Sequence, residues 1–317
     1  ARPDLPVFSV LFWCVFHCRM NVICDRRISL TGLGGMRSVA MHVKAVIFDW
    51  AGTLVDFGSL APLLSMKRVF EEAGVTVSEN DIRAGMGLGK LDHIKAVGLG
   101  MGAAKAWAEN HEGRPFDERD AILLHERFRE VSRQTAAERG KLIGGVLTAC
   151  RALRNRDILI GTTTGYTRDI MERVIAVARA QGFEAEAVVC ADDVPECRPS
   201  PLAIYHAMVS LGVYPASSVV KVDDTVPGLM EGKAAGAWTV GISETGNEMG
   251  LGEDAFIALP ARERHDLANA AAKRLADAGA DYVIGSVAEI ANIVDDINER
   301  LADGERPELL EYEPEAA

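Results

Sequence analysis

The sequence predicts an α/β fold, a doubly wound parallel sheet with a helical domain inserted after its first strand. Three observations predict it. Apolar runs of four to five residues, rich in β-branched side chains, recur as KAVIF, DILIG, AVVC, VVKV, WTVGI and DYVI. They are too short for helices and read as buried parallel strands. The stretches between them are helical in period: Val146, Leu147, Cys150 and Leu153 share one face, as do Ile170, Met171, Val174 and Ile175. Finally, roughly a hundred residues separate the first strand from the second, far beyond a normal crossover, and they read as helix after helix. A Rossmann-like sheet of this kind presents ligand-binding side chains at the carboxyl ends of its strands.

At 317 residues the chain exceeds the usual single-domain size. The expected division is an N-terminal extension at 1–40, a core at 41–58 and 141–305, a helical cap at 59–140 and an acidic tail at 306–317. Within the extension, VFSVLFWCVF is apolar over only ten residues, too short to cross a bilayer, and no positive stretch precedes it as in a signal peptide. GLGGM at 32–36 precedes the first strand, so it lacks the context of a dinucleotide loop. With 34 basic and 46 acidic residues the net charge is -12, which disfavours nonspecific nucleic-acid binding and obliges an anionic substrate to find a local cation. Six cysteines form no CxxC pair, the pattern of reduced thiols in a cytoplasmic protein; Cys14 and Cys18 lack the second pair that structural zinc needs.

Along the insertion, Pro62 suits a first helical turn, Leu63, Met66, Phe70 and Ala73 form an apolar stripe, and Gly74 ends the helix. Ser78 with Asp81 makes a capping pair for the next helix. MGLGK is a turn leading into LDHIKAV, and AILLHERFREV supplies a further amphipathic helix.

Asp49 follows the first strand, where it is either a turn residue or a ligand-facing acid. GTTTGY follows the second strand, ECRPSP the third and DDT the fourth, so hydroxyls, an arginine and carboxylates gather at one sheet edge. That edge suits a phosphoryl group and a divalent cation. From about Lys44 to about Ile297 the chain resembles the haloacid dehalogenase superfamily. The resemblance implies Asp49 as nucleophile, Thr164 and Arg198 as holders of the transferring group, and Asp224 as a Mg²⁺ ligand. Attack by a carboxylate on phosphorus gives an acyl phosphate, and a cation with an arginine offsets the negative charge.

Ala51 departs from the phosphatase pattern. An acid two residues after the nucleophile protonates a leaving alkoxide, a task no methyl group performs. The backbone carbonyl of Ala51 still offers a metal an oxygen. Lys90, in GMGLGKLDHI, supplies another route: its amine can condense with an aldehyde, and the iminium draws electrons so that carbon can leave phosphorus. His93 falls on the same helical face. DWAGT, MGLGKLDH, TTTGYT and VDDTVPG together are similar to the phosphonatase branch, the phosphonoacetaldehyde hydrolases. This likeness implies hydrolysis of phosphonoacetaldehyde to acetaldehyde and phosphate in 2-aminoethylphosphonate degradation. It implies a Schiff base on Lys90, an aspartyl phosphate on Asp49, proton transfer involving His93, a pocket with Met86, Gly165 and Tyr166, and a homodimer formed through the cap.

The metal loop also departs from the commonest family pattern. Asp223 stands where glycine often does, as a second metal acid or a turn residue, and Gly228 where a second acid can occur. Asp56 reads as a hinge residue. His42, His111, His125 and His206 show no metal-ligand spacing, and Cys190 and Cys197 read as packing thiols. Two other functions stay open: a phosphomonoesterase or phosphotransferase of the same superfamily, opposed by Ala51, and a noncatalytic phosphonate-binding protein, favoured by Gly228.

Overall fold

The computed structural model describes residues 41–308. The expectations for residues 1–40, with Cys14, Cys18 and GLGGM, and for the end of the acidic tail lie outside the described residues. The described residues fall within one compact unit.

The chain enters β1 (Ala45–Phe48) and leaves it through a short loop into α1 (Leu60–Glu72), α2 (Glu79–Ala84), α3 (Lys90–Leu99), α4 (Met101–Asn110) and α5 (Glu118–Glu138). It returns through α6 (Val146–Arg154) to β2 (Leu159–Thr163), then α7 (Arg168–Ala180), β3 (Ala187–Val189), α8 (Leu202–Leu211) and β4 (Val219–Asp223). The remainder is α9 (Val226–Ala235), β5 (Trp238–Ile242), α10 (Glu253–Ala258), α11 (Ala261–Asp277), β6 (Tyr282–Ile284) and α12 (Ile290–Ala302). All six apolar runs form strands, and they pair in parallel in the order β3-β2-β1-β4-β5-β6. The sense in which strands are added reverses between β1 and β4, the topological switch point where such sheets open a crevice.

Alternation along β1 divides the core. Ala45 and Ile47 face a cluster with Ile204, Ala207 and Met208 of α8. Val46 and Phe48 face the larger cluster, which takes in α6, α7 and α12 and runs on into the insertion through Met66, Phe70, Ile94 and Phe128. Burial of each such side chain contributes about 1.5–3 kcal/mol, so the insertion is fastened by packing. The Ser78 hydroxyl caps α2 by accepting the Asp81 N–H at 3.1 Å, and Asp117 and Asp120 form a capping box for α5.

Candidate active site

Asp49, Thr164, Arg198 and the Asp223–Asp224 pair are borne on segments at the carboxyl ends of β1, β2, β3 and β4, because a parallel sheet sends every strand end to one edge. The register pairs Phe48 with Thr162 and with Val222, so the residues that follow emerge side by side. From the sheet side, Asp49, Ala51, Thr164, Gly165, Tyr166 and Arg198 line one small pocket; Met86 and Lys90 line it from the insertion. A groove of about 570 Å³ near Asp56 and Arg139 is larger, but none of the predicted site residues lines it.

Arg198 is 6 % exposed and aims Nη2 at Asp49 Oδ1, 2.9 Å away. Its plane is fixed from behind. Nε donates to Glu231 Oε2 at 3.0 Å, Nη2 also reaches Thr163, and Nη1 lies 3.3 Å from Asp223 Oδ2. Lys221, fully buried on β4, adds a second cation below the site, 2.7 Å from Thr163 Oγ1, 3.0 Å from Asp223 Oδ2 and 3.2 Å from Glu231 Oε2. Burial raises the pKa of Asp49, and the Asp223 charge adds to this, while Arg198 and Lys221 pull it down. Asp224 is raised well above the carboxylate range by burial and by Asp49 and Asp223, against hydrogen bonds from Ser59 and the Asn247 N–H. Burial acts upward on Asp223 too, but Arg198, Lys221 and Thr225 hold it below its ordinary value.

Oxygen atoms of Asp49, Asp223 and Asp224 lie within 4.8 Å of one another. Three buried carboxylates at that spacing repel one another, and a divalent cation relieves the repulsion with the hard oxygen donors it prefers. Gly52 permits the approach: its φ is 78°, and a Cβ there would stand 2.2 Å from Asp224 Oδ2. Thr164 Oγ1 lines the pocket and accepts the Tyr166 N–H at 3.2 Å.

Lys90 is the first residue of α3, 6 % exposed, with Nζ 5.3 Å from the centre of the Tyr166 ring. Burial pushes its pKa down to about 8, helped by Arg198 and opposed by Asp49 and Asp224. Burial also drives the Tyr166 phenol well above its usual value, with Asp56 and Asp49 adding to the effect. His93 stands apart from the pocket. It is fully buried, Nε2 donates to the Ile82 carbonyl at 2.6 Å, and burial together with Lys90 lowers its pKa to about 3. The ring is therefore neutral at ordinary pH.

Sequence reasoning missed Ser59, Thr163, Lys221, Glu231 and Asn247. Ser59 Oγ donates to Asp224 Oδ2 at 2.7 Å and the Asn247 N–H to the same oxygen, Thr163 and Glu231 hold Arg198, and Lys221 pairs with Thr163, Asp223 and Glu231. A lysine inside the apolar run VVKV was the available signal, since a charge on a buried strand demands a partner. Cys190 and Cys197 have thiols raised by burial, to about 12 for Cys190, which suits packing.

A family model described as haloacid dehalogenase-like hydrolase matches residues 43–236. The chain belongs to the haloacid dehalogenase-like hydrolases. Among the relatives of this hydrolase is a protein named phosphonoacetaldehyde hydrolase from Paraburkholderia phytofirmans, 45 % identical over 266 residues, covering 84 % of this chain and 99 % of the other. One of the same name from Bordetella pertussis is 37 % identical over 272 residues, covering 86 % and 98 %. The crystal structure of a phosphonoacetaldehyde hydrolase-like protein from Oleispira antarctica superposes with a TM-score of 0.83 at 38 % identity, covering 84 % of this chain and 97 % of that one.

Proposed function

We propose that this hydrolase cleaves the carbon–phosphorus bond of phosphonoacetaldehyde, giving acetaldehyde and phosphate. One observation carries the reading: a buried lysine and a buried aspartate line the same small pocket, with alanine at the position of the usual general acid. Relatives named for that reaction support it.

Lys90, with its lowered pKa, supplies a free amine that adds to the aldehyde carbon and loses water to give an iminium. Asp49 attacks phosphorus, and the carbon–phosphorus electrons flow into the enamine. No alkoxide leaves, so no acid is required at position 51. Water then hydrolyses the aspartyl phosphate, and protonation and hydrolysis of the enamine release acetaldehyde and Lys90. Arg198 steadies Asp49 and takes the phosphoryl charge, and Thr164 offers it a hydroxyl. Met86, Gly165 and Tyr166 shape the pocket. His93, one turn along α3 from Lys90, remains as a neutral acceptor at Nδ1, which has no hydrogen-bond partner among the described residues.

Mg²⁺ is the metal we assign, held by Asp49, Asp223, Asp224 and the Ala51 carbonyl; when bound it offsets charge on the phosphoryl oxygens. Residues 59–140 act as a cap whose closure brings Lys90 to Asp49 and excludes water. Exposed Leu99, Met101 and Leu123 on the insertion support a homodimer formed through the cap. Free Cys150, Cys190 and Cys197 support a cytoplasmic enzyme, acting after the amino group of 2-aminoethylphosphonate has been removed. A phosphomonoesterase would need another acid near Ala51. Apart from Asp49 itself, the nearest in sequence is Asp56, whose Oδ2 accepts the Ala61 N–H at 2.8 Å and which does not line the pocket of Asp49 and Lys90.

The test is release of acetaldehyde and phosphate in equal amounts from phosphonoacetaldehyde with Mg²⁺, against sugar phosphates as controls. Faster release of phosphate from the sugar phosphates would favour the esterase. Tight binding without turnover would favour a noncatalytic protein.

A further inference from the structure

Tyr166 lines a second cavity besides the candidate active site. This is a small space of about 10 Å³, lined also by Trp50, Val55, Asp56, Ala136 and Met171. That is close to the minimum for a single water molecule, about 10–15 Å³. Three of the lining residues carry a buried polar atom with no hydrogen-bond partner among the described residues: Trp50 Nε1, Asp56 Oδ1 and the Tyr166 hydroxyl. The residues are 2 %, 5 % and 4 % exposed, so bulk solvent does not serve them. A buried polar group left without a partner is destabilising. Three around one cavity call for a shared partner.

Hydrogen-bond valence identifies that partner. An indole N–H only donates, an ionised carboxylate only accepts, and a phenol can donate. A water accepts from the first and third through its two lone pairs and donates to the second. Among the described residues no hydrogen bond reaches Asp56 Oδ1: its Oδ2 takes the Ala61 N–H, and Arg139 Nη1 lies 3.9 Å from Oδ1, beyond hydrogen-bond reach.

We propose that one buried water joins Trp50 Nε1, Asp56 Oδ1 and the Tyr166 hydroxyl, and that through it Asp56 is a positioning residue for Tyr166. The water stands on the cavity alone; the catalytic consequence rests on the carbon–phosphorus hydrolase reading. Asp56 lies where the chain leaves β1 for the insertion, at φ 55°, and Arg139 lies where it returns. The water therefore ties the outgoing hinge strand to the ring that faces the Lys90 amine. Loss of the tie lets that ring wander, which slows the reaction more than it weakens binding.

The test uses the full protein and the variants Asp56→Asn, Tyr166→Phe and their double. Asparagine can still accept the Ala61 N–H, and phenylalanine keeps the ring. A crystal structure showing ordered solvent is expected to place one peak within hydrogen-bond distance of all three atoms. Each single change is expected to lower kcat about tenfold with KM nearly constant, and the double no further than either single, since both break one connection. Stability should follow the same non-additive pattern. Should Asp56→Asn fail to fold, Trp50→Phe with Tyr166→Phe gives a second cycle on the same water. An empty cavity, a direct contact between Tyr166 and Asp56, or additive losses would overturn the proposal. Were acetaldehyde never released, the solvent peak and the stability cycle would still decide the water while the functional reading fell.

Discussion

The Asp223 carboxylate occupies the space in which a side chain on Gly228 would begin: a Cβ built at 228 would lie 2.0 Å from Asp223 Cγ and Oδ2. An acid at the end of β4 and an acid in the first turn of α9 are therefore alternatives. The glycine at 228 is then no sign of a lost site. Gly228→Asp is expected to lower stability by about 1–3 kcal/mol through overpacking, and Asp223→Gly combined with it to recover part of that loss. Urea denaturation of the two proteins measures it; an unchanged midpoint for Gly228→Asp would disprove the competition.

Lys90 gives a pH prediction. Its folded pKa of about 8 lies below the ordinary lysine value because burial, aided by Arg198, disfavours the charged amine. Only the free amine attacks an aldehyde, so the rate of imine formation should rise with pH and level off above about 8. Linkage has the same sign: between the folded value and the ordinary value of 10.5 the unfolded chain binds the extra proton, so the Lys90 contribution to stability grows with pH across that window. A single-turnover profile that still climbs near the ordinary lysine pKa would contradict the assignment.

Asp49, Asp223 and Asp224 should make Mg²⁺ a stabilising ligand. At a free concentration one hundred times its Kd, a ligand specific to the folded state adds about 2.7 kcal/mol. Calorimetry is expected to show the melting temperature rising with Mg²⁺ and the rise disappearing in Asp224→Ala. Chelation should stop turnover and leave the fold intact. Equal melting with and without Mg²⁺ would argue against the site.

Arg83 of α2 clasps the insertion to the core. Its Nη1 donates to the Gly58 carbonyl at 3.2 Å and to Asn247 Oδ1 at 3.0 Å, and Nη2 to the Gly250 carbonyl at 2.9 Å. The Asn247 N–H in turn donates to Asp224 Oδ2 at 2.6 Å. Arg83→Met should raise KM about tenfold and speed amide exchange in residues 247–250, whereas a peripheral role would change neither.

Much of this was legible from the sequence because strands buried on both faces read as unbroken apolar runs, and VVKV or WTVGI could be little else. Strand ends on one sheet edge then brought Asp49, Thr164, Arg198 and Asp224 together. Residues whose work depends on a distant partner were not legible. Ser59 and Asn247 look like ordinary loop residues until the fold sets them against Asp224, and Glu231 looks like a solvated acid of α9 until Arg198 lies on it. His93 was readable as a face-mate of Lys90, but not its commitment to the Ile82 carbonyl. Asp56 was readable as a hinge residue, yet its unpartnered oxygen beside Trp50 and Tyr166 exists only in three dimensions.

In the proposed reaction Lys90 holds the substrate as an imine while Asp49 takes its phosphoryl group. Borohydride reduction with phosphonoacetaldehyde and Mg²⁺, followed by peptide mass analysis, tests it most directly. A reduced two-carbon adduct is expected on Lys90, absent from Lys90→Ala, with acetaldehyde released by the untreated enzyme. No adduct at Lys90 and no acetaldehyde would contradict it.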